Sequence, residues 1–183
     1  MLSHRVKIFA CIALISFCFW PVAGHTAGFD GDWIITYDCS GATGPYKDMC
    51  DQGVRDIFML FSVTRHGDHI CAYHLVTAHL GNRVDEGDLE NPCEGPSVCG
   101  TVRNNTAIVY FCSKRLKTPG KAKITYNPHN DTLAWTLLSP SNESGWFPDR
   151  AVLKRYNKIK SRELDCSECA MERNRAILKK YET

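Results

Sequence analysis

The stretch FDGDWIITYDC, residues 29–39, decides how the rest of the chain is read. Phe29, Gly31, Trp33, Ile35, Tyr37 and Cys39 share one parity, and Asp30, Asp32, Thr36 and Asp38 share the other, with Ile34 alone out of place. Successive side chains of a β-strand point to opposite faces, so this pattern predicts a strand with one apolar and one polar face. A lone strand leaves two unpaired edges and buries nothing, which requires further strands to complete it.

Seven further runs supply them: DIFMLFSVTR (56–65), HICAYHLVT (69–77), SVCGTVR (97–103), TAIVYFCS (106–113), KAKITY (121–126), TLAWTLLS (132–139) and GWFPDRAVLKRY (145–156). Pro148 places an irregularity near the start of the last run, since it cannot donate to a ladder. Three connections are short: His66-Gly67-Asp68, Asn104-Asn105 and residues 127–131. Asn and Gly tolerate the positive φ that tight hairpins need. The other four, 40–55, 78–96, 114–120 and 140–144, are longer. Eight sequential strands suit an antiparallel up-and-down barrel, in which alternate connections lie at the same end. All the long loops then gather at one open rim and the short turns close the other. A two-sheet β-sandwich is the alternative.

The first residues stand apart. Arg5 and Lys7 precede an apolar run from Ile8 to Trp20, ended by Pro21 and followed by small residues. This is the pattern of a secretory signal peptide over residues 1–27, with cleavage after Gly24 or Ala27. Residues 28–156 form the barrel domain and 157–183 a basic C-terminal helical tail. Eight cysteines follow the signal: Cys39, Cys50, Cys71, Cys93, Cys99, Cys112, Cys166 and Cys169. An even number in an exported domain predicts a disulfide framework, hence a periplasmic or secreted product with no stable membrane anchor. Cys39 and Cys50 bracket the first long loop and are expected to staple it. Cys99 and Cys112 are diagonal neighbours across the 104–105 hairpin, with Cys93 competing for either. A bridge from Cys71 to Cys166 or Cys169 is also attractive.

Residues 28–149 carry 10 Lys+Arg against 15 Asp+Glu, and residues 150–183 carry 10 against 5. The mature chain is neutral overall, which gives no footprint for nucleic acid.

Gly31-x-Trp33 on the first strand resembles the motif that opens lipocalins and related calycin barrels. That resemblance implies that Trp33 plugs the closed end, with a basic residue of the last strand (Arg150, Lys154 or Arg155) packed over it. Two further stretches resemble bacterial lysozyme-inhibitor proteins. Ser144-Gly145 is similar to the Ser-Gly loop those inhibitors insert into the enzyme's cleft, and Asp165-Cys166 to one of their helical segments. The resemblance implies a partner protein that is a cell-wall-degrading enzyme.

Cys166-x-x-Cys169 invites a redox or zinc reading, but no strand–CxxC–helix unit and no second ligand pair accompany it. ELDCSECAMERNRAILKKYE (163–182) reads instead as a helix on the outside or base of the barrel. His66, His69, His74 and His79 are read as exposed turn histidines, since their spacing scatters them over both strand faces. VDEGDLE (84–90) with Glu94 collects five carboxylates in the longest loop. The spacing is not that of a calcium-binding helix–loop–helix unit, and an acidic rim suits a basic partner. No nucleophile elbow, HExxH or phosphate-binding loop is present.

The expectation is therefore a non-enzymatic protein that binds another protein, an inhibitor or immunity protein acting on a lysozyme-like enzyme or a delivered toxin, without cofactor or metal. Its candidate partner-binding residues are Ser144, Gly145, Trp146, Phe147, Asp149, Arg150, Glu86 and Asp88. A carrier of a small apolar ligand and an enzyme with an unrecognised site are the alternatives. Bulky inward candidates (Phe29, Trp33, Ile35, Tyr37, Leu133, Trp135, Leu137) favour a filled barrel over a hollow one.

Overall fold

A computed structural model describes residues 28–87, 95–112, 120–139, 147–159 and 162–169. The strands are β1 (Gly31–Thr36), β2 (Ile57–His66), β3 (His69–Ala78), β4 (Arg83–Glu86), β5 (Val98–Arg103), β6 (Thr106–Phe111), β7 (Gly120–Asn127), β8 (Thr132–Ser139) and β9 (Arg150–Asn157). Eight of them close a ring in the order β1-β9-β8-β7-β6-β5-β3-β2, with β2 returning to β1, and every pairing is antiparallel. This is the expected barrel rather than a sandwich, and it removes the free edges of the opening strand.

β4 is an addition that the sequence did not announce. It pairs with Leu75–Ala78 of β3, while β5 pairs with His69–Ala72. The two short strands thus share one position in the wall, β4 toward the open rim and β5 toward the closed one.

Inside lies one cluster that includes Phe29, Trp33, Phe58, Leu60, Val63, Val76, Val109, Phe111, Ile124, Leu133, Trp135 and Leu153, all almost fully buried. On β2 the inward residues are Phe58, Leu60 and Val63, so parity changes within the strand. A bulge causes this: Ser62 has φ 54° and the register to β3 slips between Phe61 and Thr64. The extra residue turns Val63 inward where strict alternation would place it with Ile57, Met59 and Phe61. The Asp32 carboxylate holds the bulge by accepting from the Ser62 amide at 2.7 Å.

The closed end shows why Gly31 precedes Trp33. Gly31 has φ +116°, and an added Cβ would stand 2.6 Å from the Asn157 carbonyl oxygen. Only glycine fits that close approach. Trp33 is fully buried and donates through Nε1 to the Phe29 carbonyl at 2.7 Å. The Arg155 guanidinium lies 3.9 Å from the Trp33 ring centroid. It also donates to the Gly28 and Asp30 carbonyls and to both carboxylate oxygens of Asp131, each at 2.7 Å. Of the three basic candidates, Arg155 is the one over the tryptophan; Arg150 and Lys154 are exposed.

Arg155 holds the Asp131 carboxyl below its ordinary value. A depressed carboxyl pKa contributes stability that is present above the unfolded value, near 4, and lost as pH falls through the folded value. Asp131→Asn is therefore expected to flatten the fall in urea midpoint below about pH 4. The effect is modest, because the Asp131 side chain is 34 % exposed and solvent screens it.

On the outer wall a second cluster joins Cys71, Tyr73, Cys99, Leu164 and Cys166, with Phe61 and Cys169 packed against it. Residues 162–169 run along β2 and β3. The amides of Arg162 and Leu164 donate to the hydroxyls of Ser62 and Thr64, each at 3.3 Å. Disulfides join Cys71 to Cys166 and Cys99 to Cys169. Cys71 and Cys99 face each other across β3 and β5. Neighbouring strands lie about 4.8 Å apart. One 3-10 turn, rising about 2 Å per residue, spans that gap between residues three apart. Accordingly Cys166–Glu168 forms a 3-10 turn, capped by the Asp165 carboxylate accepting from the Ser167 amide at 2.9 Å.

The α-helix expected from Glu163 is thus absent over the described part of the tail, because both cysteines are fixed to the wall. The rest of that helix, residues 170–183, lies outside the described residues, as does the expected signal peptide. Cys99 pairs with Tyr110, so Cys99 and Cys112 are diagonal neighbours as expected, but Cys99 bonds Cys169 and not Cys112. β5 covers only the closed half of β3, which sets Cys99 beside Cys71 rather than at the rim. Cys39–Cys50 forms as expected, and Cys112 is disulfide-bonded. Cys93 lies outside the described residues. These bridges point to an oxidising compartment. Among the described residues no helix is long and apolar enough to cross a membrane.

Candidate functional site: the open rim

Among the described residues, aromatic side chains pack through the interior toward the mouth. Phe58 meets Trp135 at 4.9 Å between ring centroids, Phe111 meets Trp135 at 5.4 Å, and Phe147 meets Phe111 at 4.2 Å. Trp135 also donates to the Pro148 carbonyl at 2.9 Å, tying the core to the last rim connection. Phe147 is therefore a core residue that seals the mouth, 7 % exposed, and its ring does not present itself to a partner.

Beneath the rim sits a buried polar group. The His74 ring is fully buried on β3, with Nδ1 2.8 Å from the Ser97 hydroxyl and Nε2 3.6 Å from Asp85 Oδ2. The Ser97 hydroxyl also accepts from the His74 amide at 3.1 Å. Phe147 covers the imidazole at 5.0 Å. His74 is thus no exposed turn histidine, and Asp85, expected among the rim carboxylates, points inward because it pairs with inward Val76. A serine, a histidine and an aspartate meet here, with Ser97 2 % exposed, and the trio links β4 and the residue before β5 to β3.

The rim surface is built from two pinned connections. In the first, Cys39–Cys50 closes the loop, Pro45 begins a short helix, α1 (Pro45–Asp51), and Lys47 pairs with Asp51 at 2.6 Å. Proline suits the first turn of a helix, where its missing N–H is not needed. In the second, between β3 and β4, His79 and Leu80 both adopt φ 55°. Two consecutive non-glycine residues in this region are strained and need support. Asp56 gives it: the carboxylate accepts from the Leu80 amide at 3.1 Å, the Gly81 amide at 3.2 Å and the Thr77 hydroxyl at 3.3 Å. Asp56 thereby fastens the two connections together.

Between them runs a groove of about 420 Å³ lined by Pro45, Tyr46, Met49, His79, Leu80, Gly81 and Asn82. A second recess of about 350 Å³ shares Tyr46, His79 and Leu80 and adds Asp38 and Asp56. Tyr46 is 43 % exposed. Two hydrogen bonds from Ser40 hold the Asp38 carboxyl below its ordinary value.

Asp149 and Arg150 are exposed at the start of β9, and Glu86 is half-buried at the end of β4. The sheet order places β3, β2 and β1 between those two strands, so the three residues do not form one patch through adjacent strands. Ser144, Gly145, Trp146 and Asp88 lie outside the described residues. Sequence reading missed Tyr46, His79 and Leu80. The only local hint was Pro45-Tyr46 inside the Cys39–Cys50 bracket, since the groove exists only once Asp56 joins connections from opposite ends of the β2–β3 hairpin.

At the closed rim His66 and His69 pair across their hairpin and line a separate recess with Cys166 and Cys169. Both CxxC sulfurs are committed to different wall cysteines. Among the described residues no three His, Cys, Asp or Glu side chains are arranged to hold a metal. No protein-family model, curated protein or solved structure matches the chain.

Proposed function

We propose that this protein is an exported, non-enzymatic binding protein of the periplasm or extracellular space. Its open rim engages another protein, as an inhibitor or immunity protein for a lysozyme-like enzyme or a delivered toxin. The observation that carries the reading is the aromatic packing of the described interior: Phe58, Phe111, Trp135 and Phe147 stack toward the mouth, which favours recognition on the outer surface. The rim supports it, because a disulfide, a short helix and the Asp56 hub fix its shape before any partner arrives. Preorganisation lowers the ordering cost of association. The signal-like first residues and the bridges suit export.

The test is retention of a panel of lysozymes, other peptidoglycan hydrolases and secreted toxins on the immobilised protein, with inhibition measured for each. Capture and inhibition of at least one, weakened at least tenfold by Tyr46→Ala or by Ser144→Ala with Trp146→Ala, is the expected result. No hydrolase or toxin retained, and none inhibited, refutes it.

A further inference from the structure

We propose that the groove between α1 and the 79–82 turn receives an arginine side chain of the partner. This rests on the rim reading for the identity of the partner, and on the groove itself for the chemistry.

The groove and its neighbouring recess form one amphipathic slot. Pro45, Met49 and Leu80 offer apolar surface, and the Tyr46 and His79 rings lie 6.3 Å apart at 47° along the same wall. The adjoining recess carries the carboxylates of Asp38 and Asp56 and, among the described residues, is lined by no lysine or arginine. A long side chain with an apolar stem and a flat cationic head matches both halves. Its methylenes cover Met49 and Leu80, and its head reaches the rings and the carboxylates.

Guanidinium fits better than ammonium. It stacks on aromatic faces while its fork of donors engages a carboxylate, and it is more weakly hydrated. Asp38 supplies a carboxylate that stays ionised, since Ser40 donates to Oδ1 through both its amide and its hydroxyl. Asp56 is already held by backbone donors, so its charge is fixed in place. The slot needs no folding on binding: Cys39–Cys50 holds one side and the supported positive-φ turn the other.

The probe is a blocked tripeptide, acetyl-Gly-Arg-Gly-amide, titrated into the isotopically labelled protein and followed by amide NMR shifts. The control is the same peptide with citrulline, which keeps the shape and loses the charge. The expected result is saturable shifts confined to residues 38–56 and 77–82, an affinity at least tenfold weaker for citrulline, and loss of the arginine response in Tyr46→Ala and Asp38→Asn. Tyr46→Phe retains the ring and is expected to retain binding, which separates a recognition role from a folding one. Equal responses to both peptides, or shifts located elsewhere, overturn the proposal. The two readings fail separately. Arginine binding without any captured hydrolase leaves the slot standing and removes the inhibitor. Hydrolase capture unaffected by Tyr46→Ala and Asp38→Asn does the reverse.

Discussion

Replacing Cys71, Cys99, Cys166 and Cys169 together by serine is expected to lower stability by about 5 kcal/mol or more, the largest loss foreseen for any local change outside the core. The two bridges close sequence separations of 95 and 70 residues. In the chain-entropy account a loop near 100 residues is worth about 4.7 kcal/mol. The second bridge adds less, because the first has already brought the tail to the wall. Urea midpoints measured in non-reducing buffer check the value. The pair variant Cys166→Ser with Cys169→Ser is expected to lose less. It leaves Cys71 and Cys99 opposite each other on β3 and β5, close enough to oxidise together. Thiol counting on that variant is expected to find neither cysteine free. Equal midpoints for the wild type and the fourfold variant would mean that the tail holds its place through Leu164, Ser62 and Thr64 alone.

This arrangement also marks where sequence reading stops. Strand positions were legible because alternation and turn residues are local: seven of the eight expected runs match observed strands to within a few residues, and the eighth starts late, after Pro148. Trp33 at the closed end and a basic residue over it were legible from one motif, although the choice of Arg155 depended on the register of β9. The bulge at Ser62 was not legible, since residues 57–61 are apolar on both parities and show no alternation to break, and the Asp32 carboxylate that accepts from its amide lies thirty residues earlier. β4 was hidden because RVDE has four residues and one aliphatic side chain. With β4 unseen, nothing showed that β5 covers only the closed half of β3, which sets Cys99 beside Cys71. The same omission made Asp85 look like a rim carboxylate, while His74 was read as exposed from the scattered spacing of the histidines alone. Each error is a consequence of long-range register, which no window of sequence contains.

The candidate site follows the same division. Alternate connection lengths predicted that one rim would carry the function, and the stapled loop was anticipated. The groove was not, because Tyr46 and His79 become neighbours only through Asp56.

Trp135→Ala is expected to cost about 3–5 kcal/mol, as removal of a large enclosed aromatic does. Trp135 is 1 % exposed and lies between Phe58, Phe111 and Phe147, so the space it leaves is apolar and enclosed. The Pro148 carbonyl loses its donor as well, adding part of the cost of an unpaired buried acceptor. The consequence reaches function. If the native barrel is filled, the wild type takes up no small apolar molecule, while the variant gains an internal site close to the mouth. Calorimetric titration with benzene or indole is expected to give no heat for the wild type and one-to-one binding for the variant, whose thermal midpoint then rises with the logarithm of ligand concentration at excess ligand. Saturable uptake inside the wild-type barrel would instead place the carrier reading first, because a barrel that already holds a ligand does not need its rim to explain what it does. Should the variant prove too unstable to isolate, Trp135→Leu leaves a smaller space at lower cost and decides the same question.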